Sequence, residues 1–79
     1  MIAQLEGEVV HVVDGAVILE VGGVGFAIHV PATLQFQLGD RIVLHTHLLV
    51  RENELALYGF AEPDDKWLFE MLLGVSGVG

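Results

Sequence analysis

Apolar and polar positions alternate with a period of two along most of this chain, the signature of strands with two different faces. The clearest case surrounds the stretch from His45 to Phe60. Leu44, Thr46, Leu48 and Val50 alternate with His45, His47 and Leu49. After a short charged break, Leu55, Leu57 and Gly59 alternate with Ala56, Tyr58 and Phe60. The break, Arg51-Glu52-Asn53-Glu54, predicts a tight β-hairpin whose projecting end carries two carboxylates and one guanidinium. Asn tolerates positive φ better than most residues, so Asn53 is the expected tip residue. On local sequence alone, the simpler reading of such a tip is a solvated turn.

The same period runs upstream. Ile2 to Val13 reads as one long strand, with Gly7 marking a bulge or a tight bend. Asp14-Gly15 and Gly22-Gly23 fit primed two-residue hairpin turns on either side of a strand from Ala16 to Val21. Phe26, Ile28 and Val30 share a face of a third strand, which Pro31 stops. Ala32 to Leu38 has weak periodicity and predicts a short helical turn and loop. Gly39-Asp40 then turns into a fourth strand, Arg41 to Val50, and the acidic hairpin leads to a fifth. Five short antiparallel strands with a connecting element after the third predict a mainly β chain folded as an OB-fold Greek-key barrel. An SH3-like barrel is the structural competitor.

After Phe60 the period becomes helical. Pro63 suits a first helical turn, and Asp64 and Asp65 sit where the helix dipole favours negative charge. Trp67, Leu68, Met71, Leu72 and Val75 recur at helical spacing, with Phe69 and Leu73 adding apolar surface, so this helix needs a cover. Gly74 can end it. The sequence thus divides into a barrel domain at 1–61 and, at 62–79, a helix running into Gly77-Val78-Gly79, the first half of a helix–hairpin–helix. A glycine-rich turn after a helix exposes backbone N–H groups that accept phosphate oxygens without positive side chains. The competing reading is a plain C-cap turn.

Composition sharpens this picture in two ways. Hydrophobic residues make up 53% of only 79 residues, above the usual share of roughly 45–50%. A chain of this length buries only roughly 60–65% of its unfolded surface, so the excess points to apolar surface meant for a partner or for further chain. Three basic residues against eleven acidic give a formal charge of −8. Nonspecific nucleic-acid binding depends on Lys and Arg neutralising phosphates, so composition taken alone argues against it. No cysteine is present, which excludes a disulfide framework and is compatible with a reducing compartment. Neither a signal peptide nor an apolar run of about 20 residues is present, so no membrane is expected and a cytoplasmic location is.

Catalytic chemistry is not expected. Ser76 is the only serine and has no sequence hint of a base, and the carboxylates are scattered. Gly22-Gly23 with Gly25 joins two strands rather than opening a helix, so it is no dinucleotide fingerprint. His45 and His47 point the same way from a strand, and such a pair can share a zinc ion only with a third and usually a fourth ligand. No matching spacing supplies them, so neither metal nor cofactor is expected.

Taken together and in order, Glu20-Val21-Gly22-Gly23-Val24-Gly25-Phe26, Thr46-His47, Arg51-Glu52, Leu57-Tyr58-Gly59-Phe60, Leu68-Phe69 and Gly77-Val78-Gly79 resemble the RuvA family over essentially the whole chain. The resemblance implies an OB-fold barrel followed by a domain of two helix–hairpin–helix motifs. It implies fourfold-symmetric homotetramers that hold a four-way (Holliday) junction open and square, in recombination and repair, for the RuvB-like ATPase that drives branch migration. Such a subunit is non-catalytic, and the ATPase is recruited through a further domain. Arg51, Glu52, Asn53 and Glu54 correspond to the family's acidic pin at the junction centre. The family's pin has two adjacent acidic residues; here Glu52 matches the first, Asn53 stands at the second and Glu54 follows. Gly77, Val78 and Gly79 correspond to the phosphate-binding hairpin, which in the family continues with a proline and a lysine. Two rivals from other classes are an assembly-only module that makes no productive DNA contact and a metal-dependent enzyme using His45 and His47.

Overall fold

Each predicted strand is present in the computed structural model, which describes residues 1–74. They are β1 (Gln4–Val13), β2 (Ala16–Val21), β3 (Val24–His29), β4 (Arg41–Arg51) and β5 (Glu54–Phe60), followed by helix α1 (Pro63–Leu73). The strands close into a barrel in the order β1-β2-β3-β5-β4. Every neighbouring pair is antiparallel except β3 and β5, which run parallel through Ile28↔Leu57 and His29↔Tyr58. A five-stranded closed barrel of this order is the OB-fold Greek key. Leu5, Val9, Val17, Leu19, Ile28, Leu44 and Leu57 fill its interior.

Closure depends on β1 serving two partners. Gln4 to Glu8 pair with β4, and Glu8 to Val13 pair with β2. The bulge lies between Val9 and His11, so of the bulge or tight bend expected at Gly7 the bulge is not found there. At Val9 the backbone bonds the turn before β4: its N–H donates to the Asp40 carbonyl, and its carbonyl accepts from the Gly39 N–H, both at 2.8 Å. Gly7 has a different role. A Cβ there would lie 2.2 Å from the carbonyl oxygen of Glu20, so the glycine lets β1 cross β2 at the barrel corner.

Two other local expectations change. Gly22 and Gly23 have φ of 57° and 89°, as a primed turn requires, but at the first hairpin only Gly15 is positive, so Asp14-Gly15 is not a primed turn. The segment between β3 and β4 forms turns without a helix. Its order comes instead from single bonds such as the Gln37 N–H to Asp40 Oδ2, 3.1 Å.

The chain start is fastened by a side chain. β1 begins at Gln4 rather than Ile2. The two residues before it are held by the fully buried Thr46, whose hydroxyl donates to the Ile2 carbonyl and whose N–H donates to the Ala3 carbonyl, each at 2.9 Å. Thr46→Val keeps the shape and removes one donor, leaving the Ile2 carbonyl unpaired. The site is part-buried, so the cost lies towards the lower end of the about 1–3 kcal/mol of a buried unpaired acceptor. The urea midpoint should fall accordingly with an unchanged slope.

β5 is covered on both faces. Leu57 and Gly59 face the core, while Ala56 and Phe60 are buried on the other side. That outer side is where α1 lies. Phe69 packs against Tyr58 and Phe60 with ring centroids 5.1 and 5.0 Å apart. The helix begins with Pro63 and two aspartates in its first turn and ends on Gly74, whose N–H bonds the carbonyls of Glu70 and Met71. None of its residues is fully buried, and Trp67, Leu68, Met71, Leu72 and Leu73 are exposed.

Candidate nucleic-acid interface

The β4–β5 hairpin outgrows the barrel. The β1–β4 ladder ends at Gln4↔His45, and the β3–β5 ladder begins at Ile28↔Leu57. Beyond Leu48↔Leu57 the two strands pair only with each other, through Leu49↔Ala56, Val50↔Leu55 and Arg51↔Glu54. These three pairs, about 10 Å of ladder at about 3.3 Å per residue, carry the turn past the last backbone pairing with β1 and β3, although Ala56 is still buried. The loop itself is the two residues Glu52 and Asn53.

All four tip residues, Arg51, Glu52, Asn53 and Glu54, are exposed. Asn53 does not adopt positive φ; no residue other than glycine does among the described residues. Its expected role as a left-handed tip residue is therefore wrong, and the loop turns with φ negative at both positions. No ion pair among the described residues engages Glu52 or Glu54. The tip thus presents two solvated carboxylates and one guanidinium at the end of a two-stranded arm.

No basic patch stands near it among the described residues. The three basic side chains are dispersed. Arg41 lies 3.8 Å from Glu6 on the barrel surface, Lys66 lies 4.0 Å from Glu70 on α1, and Arg51 is on the tip. The predicted phosphate-binding turn, Gly77, Val78 and Gly79, lies outside the described residues. A cavity of about 700 Å³ between the first hairpin and the loop after β3 includes no tip residue, whereas one of about 380 Å³ beside Phe26 and Leu57 is lined by Glu54.

Two features went unseen in the sequence. One is the seat of α1 on the barrel: His47 Nδ1 and Glu70 Oε2 lie 2.9 Å apart, and the His47 ring meets the edge of Phe69 at 5.9 Å. The other is an aromatic row in which His29 stacks on Tyr58 at 5.1 Å and Tyr58 leads to Phe69. The register held part of the signal, since His45 and His47 stand opposite Phe60 and Tyr58. The helix face that meets them had no such marker. Of the two histidines considered for metal binding, His47 is turned to a helix carboxylate, and no group of three or more metal-binding side chains is assembled among the described residues. No helix of the described residues is long and apolar enough to cross a membrane.

Comparison with known proteins agrees with the resemblance in the motifs. The model of the RuvA N-terminal domain family matches residues 1–59. The chain is 49% identical to the Holliday junction branch migration complex subunit RuvA of Herpetosiphon aurantiacus, over the whole chain and 42% of that protein. It is 46% identical to the protein of the same name from Renibacterium salmoninarum, covering 38% of it, and 44% identical to that of Halothermothrix orenii, covering 41%. In both cases the whole chain is covered. The chain spans about two-fifths of the length of these curated relatives.

Proposed function

The chain belongs to the RuvA N-terminal domain family, and from that premise we propose that it is the barrel-and-pin portion of a subunit that binds four-way junction DNA. In this reading it holds the junction open for a RuvB-like ATPase, acts in the cytoplasm as a homotetramer and performs no catalysis itself. The relatives' names carry the link to junctions and branch migration. The observation in this chain that supports it is the projecting hairpin with unneutralised carboxylates at its end.

Its physics is selection by repulsion. A carboxylate 4 Å from a phosphate costs about 1 kcal/mol in water and about 4 kcal/mol near a protein surface that partly excludes it. Four such tips at the centre of a fourfold assembly penalise a continuous duplex and spare a junction whose strands have parted. We assign the barrel to residues 1–61 and the start of a helix–hairpin–helix domain to 62–79. The outward apolar face of α1 supports that division, because it suits packing against further helices. The assembly-only alternative draws on the same apolar face but leaves the acidic arm without a use.

Charge sets the first test. With −8 overall and no basic patch among the described residues, the 79-residue chain should bind linear duplex weakly at physiological salt. Fluorescence anisotropy should find no affinity tighter than about the 10⁻⁶ M limit of ordinary nonspecific binding. Submicromolar binding to plain duplex would contradict this expectation and require a phosphate-binding surface that the described residues do not show. The same titration on the chain extended to the length of its relatives should show clear preference for a four-way junction; equal affinity for both DNAs would overturn the proposed function.

A further inference from the structure

Helix α1 meets the barrel with its more polar side. Its half-buried residues are Lys66, Phe69 and Glu70, two of them charged, whereas Trp67 is 53% and Leu72 80% exposed. Burying a large apolar side chain stabilises by about 1.5–3 kcal/mol. In the 79-residue chain taken alone, apolar burial favours turning Trp67, Leu68, Met71 and Leu72 inward. The contacts made by the opposite face weigh against that turn.

That contact is the pair His47 and Glu70. Their side chains are only 17% and 19% exposed, and Nδ1 lies 2.9 Å from Oε2. An ionised carboxylate only accepts, so the shared proton belongs to Nδ1. Lys66 Nζ approaches the same carboxylate oxygen at 4.0 Å and the Ala3 carbonyl at 3.5 Å. Phe69, the neighbour of Glu70, enters the space between His47, Tyr58 and Phe60.

We propose that His47 and Glu70, with Phe69 as the steric key, are positioning residues that select which face of α1 lies on the barrel. Apolar contacts are interchangeable, but a half-buried hydrogen bond has one satisfied arrangement; buried polar pairs add little net stability and can specify orientation. The selection keeps the apolar face of α1 turned outward and sets the direction in which α1 leaves the barrel relative to the pin. Its consequence for DNA rests on the function proposed above; the selection itself does not.

The test compares Glu70→Ala with Glu70→Gln, which retains an acceptor oxygen, in the 79-residue chain. Wild type should show NOEs from the Phe69 ring to Tyr58 and Phe60, and water-exposed Trp67 emission. In Glu70→Ala the observed docking should lose about tenfold in population against docking through Trp67 and Leu68, the ratio equivalent to ~1.4 kcal/mol. Phe69 NOEs would fade, Trp67 NOEs to the barrel would appear and Trp67 emission would shift to the blue. Amide protection inside the barrel should not change, and Glu70→Gln should behave as wild type. Unchanged Phe69 NOEs and Trp67 emission in Glu70→Ala would overturn the proposal. In the extended chain, Glu70→Ala should also lower the ratio of junction to duplex affinity. Redocking without that change would overturn the claimed consequence. A wild-type chain without junction preference would instead refute the proposed function, while the NOEs still decide the selection of the helix face.

Discussion

Gly7→Ala is expected to destabilise the barrel by about 3 kcal/mol or more, the upper end of overpacking penalties. The added methyl would stand 2.2 Å from the Glu20 carbonyl oxygen and 2.9 Å from its carbon. Both atoms are backbone, so no side-chain rotation relieves the overlap; β1 and β2 would have to move apart at the corner where β1 passes from one partner to the other. A domain of this size has only about 4–12 kcal/mol of stability in total. Thermal or urea unfolding followed by circular dichroism should therefore show a large loss. Gly25→Ala is the internal control: its new methyl would meet only the Ile18 Cγ2 atom at 3.3 Å. A wild-type midpoint for Gly7→Ala would mean that the two strands do not approach as closely as described.

Local pattern and long-range contact differ in how well the sequence reveals them. β5 runs from Glu54 to Phe60 as its alternation predicts, because one face meets the core and the charged residues before it cannot. The helix starts at Pro63 and stops at Gly74 because proline suits a first turn and Gly74 takes the left-handed cap at φ 76°. At Gly7 the sequence leaves a bulge and a bend open, because a glycine in a strand signals either a bulge or a close approach. Gly7 is the second, and the register shift follows from the bonds between Val9 and the Gly39-Asp40 turn. Asn53 sits in the turn without positive φ, because propensity for positive φ is permission, not requirement. Thr46 with Ile2, and His47 with Glu70, are separated by 44 and 23 residues, and nothing in the local sequence of either partner names the other. At the candidate site, the acidic arm was legible from its charges and flanking alternation. Its length beyond the barrel became visible only when the neighbouring ladders were seen to end at His45 and Leu57.

The second large effect concerns the arm itself. Glu52→Gln with Glu54→Gln should leave stability nearly unchanged, since both side chains are exposed and neither is ion-paired among the described residues. It should raise affinity for linear duplex. Each carboxylate removed relieves about 1 kcal/mol of phosphate repulsion at 4 Å in water, so the pair is worth up to about thirtyfold in duplex binding, of which about tenfold remains in the ratio once the smaller gain for the junction is set against it. Junction affinity should change less, because parted strands keep their phosphates away from the centre. The difference between wild type and variant should shrink as salt is raised, since screening already weakens the wild-type repulsion. The single variants locate the effect. Glu52→Gln should account for most of it if the first acidic position of the arm carries the role; Glu54→Gln should if the charge has moved past Asn53.

The most direct measurement is the ratio of four-way junction to linear duplex affinity for wild type and the double variant, in the chain extended to the length of its relatives, by anisotropy titration at one salt concentration. Repulsion at the arm predicts that the double variant's ratio falls about tenfold, chiefly through tighter duplex binding. An unchanged ratio would contradict selection by repulsion and leave Arg51 to Glu54 as a solvated turn.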